Sequence, residues 1–288
     1  RRTVVLTLPA FAGLLRGGEQ QTPKLAPGAP QSPERMALIT AMRGKLAAVR
    51  DGFEARMHTS GDRKMPYRLF RAQQVKAGEK VPLVLWLHGA GGLGDDNRKQ
   101  LAGGNQFGSH VWALPENQQK HPCYIVAPQT SFGWIRYDVM RTPGGPRPRP
   151  VAGFGDGARM AIEIVDGVRR EFAIDDRRIY VMGNSMGGGG TWHVLAHRPD
   201  LFAAGVPVAG GNSADDVSKL VGMPLWNFHG DADKTVPVTV SRERIEALRK
   251  AGGSPLHTEY PGIGHNANEW AFTEPAIVEW VFAQRKKA

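Results

Sequence analysis

Short continuous apolar runs recur along this chain, with Val81-Pro82-Leu83-Val84-Leu85-Trp86-Leu87 the plainest, and between them apolar residues return at helical spacing. A run that is apolar at every position predicts a strand covered on both faces, because successive side chains point to opposite sides of a sheet. Such runs predict strands near residues 81–87, 123–128, 178–183, 204–209, 224–229 and 255–260. Upstream, residues 54–59 and 67–72 flank a Gly61-Asp62 turn and predict an antiparallel hairpin. Eight strands separated by helical stretches predict an α/β fold with a mostly parallel, doubly wound sheet. Met36, Ile39, Leu46 and Val49 predict an amphipathic helix packed on the flank, and Ala267 to Phe282 predicts a closing helix.

The first residues follow a different pattern. Arg1-Arg2 precede an apolar stretch from Thr3 to Leu15, and Gly17 to Pro33 is polar and rich in Pro, Gly and Gln. The apolar stretch is too short to span a bilayer, which needs about 20 residues. It matches the apolar region of a secretory signal, although no A-x-A-like cleavage site follows, so 1–33 reads as a leader, either a truncated signal of a secreted or periplasmic protein or a cytoplasmic leader, and 34–288 as one catalytic domain. The 288 residues are 41% hydrophobic and 22% charged, ordinary for a soluble protein with a large core and no stable membrane insertion. The net charge of +10 implies either a solvated basic face or steering toward an acidic surface or polymer. No nucleic-acid-binding motif accompanies it. The single cysteine, Cys123, excludes an intramolecular disulfide and lies in an apolar run that predicts a buried, inert thiol.

The candidate chemistry sits where predicted strands end. Gly183-Asn184-Ser185-Met186-Gly187 follows one strand and opens a helical stretch, the G-x-S-x-G pattern of a turn that displays a serine nucleophile. His88-Gly89-Ala90-Gly91-Gly92 ends another strand and suits a loop that aims a backbone N–H at an oxyanion. His229-Gly230-Asp231-Ala232-Asp233 ends a third and offers Asp233 as the acid, while Pro261-Gly262-Ile263-Gly264-His265 offers His265 as the base. In parallel sheets of this kind, ligands bind outside the carboxyl ends of the strands.

The order Ser185, Asp233, His265 resembles that of the α/β-hydrolase superfamily across roughly residues 55 to 284. His88 through Asn97, Pro128-Gln129 and Trp134 look like the lidless esterase group related to polyhydroxybutyrate depolymerases, feruloyl esterases and "predicted peptidases". The resemblance implies hydrolysis of a small-molecule or polymeric carboxylic ester, with no cofactor and no metal. It also implies Asp233 rather than Asp231 as the acid, from the pattern H-G-x-x-D-x-x-V-P, and the Met186 and Ala90 N–H groups as the oxyanion hole. A serine peptidase or amidase of the same fold and a non-catalytic binding module stand as alternatives.

Only residues 210–223 separate two of the strands where many hydrolases insert a lid, so the site is expected to be open. The longest irregular segment runs from Thr130 to Phe154 and is expected to overhang the site, with Trp134 and Tyr137 as substrate-binding residues. His88 and His229 precede glycines at strand ends and read as loop braces. His193 and His197 lie four apart on the serine helix, without the Glu or Cys cluster a metal pair calls for. Asp95, Asp96 and Asn97 lack EF-hand spacing and read as loop-shaping.

Overall fold

Alternate residues of the run at 81–87 enter two different cores. Val84 and Trp86 pack with Ile125, Ala127, Tyr180 and Met182 on one face of the sheet, whereas Leu83, Leu85 and Leu87 pack with Val126, Ile179 and Val181 on the other. The uniformly apolar run therefore reflects burial on both sides. The structure, a computed structural model, describes residues 31–142, 145–211 and 213–286. The leader expected over 1–33 falls almost wholly outside these residues.

The strands in chain order are β1 (Phe53–Ser60), β2 (Arg63–Phe70), β3 (Val81–Leu87), β4 (Tyr124–Pro128), β5 (Tyr137–Thr142), β6 (Gly145–Pro150), β7 (Ile174–Asn184), β8 (Ala204–Val208), β9 (Trp226–Gly230) and β10 (Leu256–Tyr260). The helices are α1 (Pro33–Ala48), α2 (Asn105–His110), α3 (Pro115–Lys120), α4 (Asp156–Glu171), α5 (Met186–His197), α6 (Thr239–Lys250), α7 (Ala267–Ala271) and α8 (Ile277–Ala283). Eight strands form one sheet in the order β1-β2-β4-β3-β7-β8-β9-β10. The β1/β2 and β2/β4 pairs are antiparallel and the rest parallel. This is the α/β-hydrolase arrangement. Helices α1, α2, α7 and α8 cover one face, with Ile39, Phe107, Trp270 and Val281 in its core. Helices α4, α5 and α6 cover the other, with Ile164, Trp192 and Ile245.

Helix α1 begins where its sequence says it should. Pro33 occupies the first turn, and Ser32 Oγ accepts the Arg35 N–H at 3.2 Å. The Arg35 guanidinium then donates to the carbonyls of Trp270 and Thr273, pinning α1 to the end of α7. No helix among the described residues is long and apolar enough to cross a membrane.

Two expected elements differ. The closing helix over 267–282 is broken into α7 and α8, because Pro275 lacks the N–H that would continue α7 and disfavours helix at Glu274. The segment 130–154 is not wholly irregular, since β5 and β6 form a separate antiparallel hairpin. Its Pro146, Pro148 and Pro150 fall on alternate positions, so their missing donors all face the same way and leave Arg147 and Arg149 to pair with β5.

Candidate active site

The serine turn is dictated by crowding. A Cβ on Gly187 would lie 1.9 Å from the Leu87 carbonyl oxygen, and one on Gly183 would lie 2.3 Å from the Gly187 oxygen. Neither position accepts a side chain, so β3, β7 and the start of α5 approach to backbone contact. Ser185 itself sits at φ 57° and ψ −116°, a strained conformation for a residue with a Cβ. Its N–H is held by the Val208 carbonyl at 2.8 Å, fixing the strained residue to the end of β8.

Ser185, His265 and Asp233 come from the ends of β7, β10 and β9 and form one hydrogen-bonded line. The Ser185 hydroxyl meets His265 Nε2 at 2.7 Å, and His265 Nδ1 meets Asp233 Oδ2 at 2.7 Å. A carboxylate can only accept, so the imidazole proton sits on Nδ1 and the Nε2 lone pair faces the hydroxyl. The Asp233 carboxylate is fully buried, yet Oδ1 accepts the Thr235 and Val236 N–H groups at 2.8 and 2.9 Å. Burial alone would raise its pKa. The hydrogen bonds from His265 and those two amides outweigh it and hold the carboxyl below its ordinary value.

Asp231 takes a different place. It is exposed, and its Oδ1 accepts the Gly262 N–H at 2.6 Å, bracing the loop that carries His265. His229 braces the Asp233 loop from beneath, with Nε2 donating to the Val236 carbonyl at 2.9 Å and Nδ1 facing Ser241 Oγ at 2.7 Å. Both histidines read as loop braces, His88 and His229, act in that way.

The loop after β3 lies against the serine. A Cβ on Gly89 would stand 3.5 Å from the Ser185 Cβ, and Ala90 opens a short 3-10 turn whose residues 90 and 91 are exposed. Met186 is the first residue of α5, where a backbone N–H has no partner within its own helix. Among the described residues neither the Ala90 nor the Met186 N–H meets a backbone acceptor. Several side chains fix this loop. Asn105 Oδ1 accepts the Gly89 N–H at 2.9 Å, and Gln129 Nε2 donates to the Gly92 carbonyl at 3.0 Å. His88 Nδ1–H donates to the Gly89 carbonyl, while its Nε2 accepts the Thr130 N–H at 3.1 Å. That pattern needs a neutral ring, and burial lowers the His88 pKa to about 4. Asp96 accepts the Arg98 and Lys99 N–H groups, and Asn97 Nδ2 reaches the Arg56 and Tyr67 carbonyls, so these residues do shape the loop.

The two residues expected to touch substrate part company. Tyr137 opens β5 and is 42% exposed. Trp134 is fully buried, with its indole N–H donating to the His88 carbonyl at 2.9 Å. A ring without accessible surface cannot line an open groove, so Trp134 is corrected from a substrate contact to a support beneath the loop after β3. Asn105, which gave no sequence signal, lies beside it. Asp215 gave no sequence signal either, and the fold carries it to His193 and His197. Their Nδ1 and Nε2 meet its two carboxylate oxygens at 2.6 and 3.0 Å. His193 Nε2 accepts the Gly155 N–H at 3.0 Å, which puts the ring proton on Nδ1 and leaves no lone pair there for a metal. The cluster is a clasp joining α5 to the loop after β8 and to the start of α4. Cys123 is buried, with its thiol pushed up to about 12.

The prolyl oligopeptidase family model matches residues 160–213, from α4 past the Ser185 turn. A bifunctional acetylxylan esterase/xylanase of Neocallimastix patriciarum is 26% identical over 67% of this chain and 26% of its own length. A poly(3-hydroxyalkanoate) depolymerase C of Paucimonas lemoignei is 30% identical over 46% of this chain and 28% of its own. The chain thus spans about a quarter of the length of these curated relatives. A solved structure described as a thermostable esterase superposes with a TM-score of 0.73 at 34% identity, over 83% of this chain and 64% of that one. Strand order and these likenesses define an α/β-hydrolase fold shared with serine esterases.

Proposed function

We propose that the chain hydrolyses carboxylic esters through an acyl-enzyme on Ser185. The observation that carries this reading is the line from Ser185 Oγ through His265 to the buried Asp233, with both hydrogen bonds at 2.7 Å. His265 Nε2 takes the serine proton as Oγ attacks the ester carbonyl, and the imidazolium that forms is stabilised by Asp233. The Met186 and Ala90 N–H groups receive the tetrahedral oxyanion. The imidazolium protonates the leaving alkoxide as the tetrahedral intermediate collapses to the acyl-enzyme. Water, deprotonated by His265, then releases the acid.

Short-chain or aryl esters suit an open site, and a polymeric ester is the class suggested by the acetylxylan esterase and depolymerase relatives. Secretion fits a polymer substrate and the basic-then-apolar start of the sequence. Detecting the chain in the medium, shortened at its N-terminus, tests that part. A peptidase reading has one observation in its favour, the family match over 160–213. Ser185→Ala decides the chemistry. It should fold normally, lose ester turnover by several orders of magnitude and stop reacting with a fluorophosphonate probe. A variant keeping a tenth of the activity would rule out the serine mechanism. Cleavage of an acyl-peptide amide faster than the matched ester would favour the peptidase.

A further inference from the structure

Away from Ser185, three arginines from three separate segments open onto one cavity of about 410 Å³. Arg50 comes from the turn between α1 and β1, Arg68 from β2, and Arg98 from the loop beyond the oxyanion turn. Asp51, Leu101 and Ala102 complete the lining. Many of the other arginines of this basic chain are ion-paired, among them Arg56 with Glu171, Arg71 with Glu54, Arg178 with Asp175 and Arg242 with Glu259. Among the described residues no carboxylate lies within ion-pair distance of Arg50, Arg68 or Arg98, although Asp51 borders the same space.

Arg68 is also held in place. Its Nε donates to the Asn97 carbonyl at 2.7 Å and its Nη1 to the Phe53 carbonyl at 2.9 Å, which fixes the guanidinium plane before any ligand arrives. Asn97 is itself locked by the two carbonyls its side chain reaches. A fixed guanidinium with two more beside it recognises an oxyanion through paired N–H donors.

Two features narrow the ligand. The cavity volume falls within the range of small-molecule sites and far exceeds what a bare inorganic anion fills. Asp51 would repel an anion, but its carboxylate accepts hydrogen bonds from hydroxyl groups, and Leu101 and Ala102 offer an apolar floor. We propose that this cavity binds a hydroxylated organic anion of about monosaccharide size, its carboxylate or phosphate on the arginines and its hydroxyls toward Asp51. The site is separate from the serine chemistry and does not depend on it.

Calorimetric titration of the full chain at low salt with glucuronate, glucose 6-phosphate, glucose and inorganic phosphate tests this. One or both sugar anions should bind saturably, glucose should not, and inorganic phosphate should bind at least tenfold more weakly. Binding of glucuronate alone would identify a sugar acid as the source of the anion, and binding of glucose 6-phosphate alone a phosphate ester. Arg50→Gln and Arg98→Gln, both at exposed positions, should each weaken binding tenfold or more, whereas Arg285→Gln should leave it unchanged. Ser185→Ala should bind as the parent does, and Arg98→Gln should hydrolyse a neutral short ester at the parent rate. Absence of saturable binding, equal affinity in both cavity variants, or phosphate binding as tightly as the sugar anions would overturn the proposal.

Discussion

The indole N–H of Trp134 donates to the main-chain carbonyl of His88 at 2.9 Å, and the two rings meet edge to face with centroids 4.9 Å apart. His88 in turn holds the Gly89 carbonyl and the Thr130 N–H. The loop beside the serine is thus set by groups that never reach solvent. Trp134→Phe removes the indole N–H and part of a fully buried ring, leaving the His88 carbonyl unpaired at a cost of about 1–3 kcal/mol beyond that of the lost packing. The expected result is a kcat on short esters at least tenfold lower with KM little changed, since the loop would serve the oxyanion more than the ground-state ester. Steady-state kinetics that leave kcat intact would assign the loop's shape to Asn105 and Gln129 alone.

The two carboxylates after β9 should differ sharply. Asp233→Asn removes the acceptor that keeps the His265 proton on Nδ1, and kcat should fall by roughly a thousandfold or more. Asp231→Asn keeps an oxygen for the Gly262 N–H and should cost less than about threefold. Side-by-side measurement of kcat at one pH checks the ranking, and a larger loss at Asp231 would reassign the acid.

Acid should unfold the chain earlier than its carboxylates require. Burial lowers His88 and His110 from an ordinary 6.5 to about 4, so between these values the unfolded chain binds protons that the folded one refuses. Stability therefore rises with pH across that window; it is fully present above 6.5 and lost as pH falls to 4. Each ring contributes about 3 kcal/mol at neutral pH. Urea midpoints at pH 7, 5.5 and 4.5 should fall steadily, and a flat profile would mean these rings take up protons without unfolding.

Between β8 and β9 the described residues hold only a 3-10 turn, Val217–Leu220, where a lid would stand. Turnover of tributyrin should then follow ordinary saturation through the solubility limit. An abrupt rise once droplets form would indicate that another segment closes the site.

Much of this was legible in the sequence because it depends on local rules. The apolar run at 81–87 told of burial on two faces, and Gly183 and Gly187 marked a turn that tolerates no Cβ. Ser185, Asp233 and His265 could be chosen because each ends a strand of a parallel sheet. What stayed hidden depends on which remote segments meet. Nothing local distinguishes Asn105 from any helix-opening asparagine, or Asp215 from any loop aspartate, until the fold carries them to Gly89 and to His193. Trp134 misled for the same reason: an aromatic in a long loop suggests a ligand wall, but only the packing against His88 reveals that its polar tip points inward. The β5–β6 hairpin was hidden by its prolines, which argue against a strand unless their spacing of two is noticed.

That spacing has a consequence for how the protein keeps to itself. A two-stranded ribbon standing apart from the main sheet has two open edges, each a template on which a strand from another molecule can add. On the outer edge of β6 the positions that would offer N–H donors are Pro146, Pro148 and Pro150, so that edge presents acceptors alone. An incoming strand would find half of its hydrogen bonds unmade along the whole length of β6. The prolines thus close one of the ribbon's two edges to strand addition.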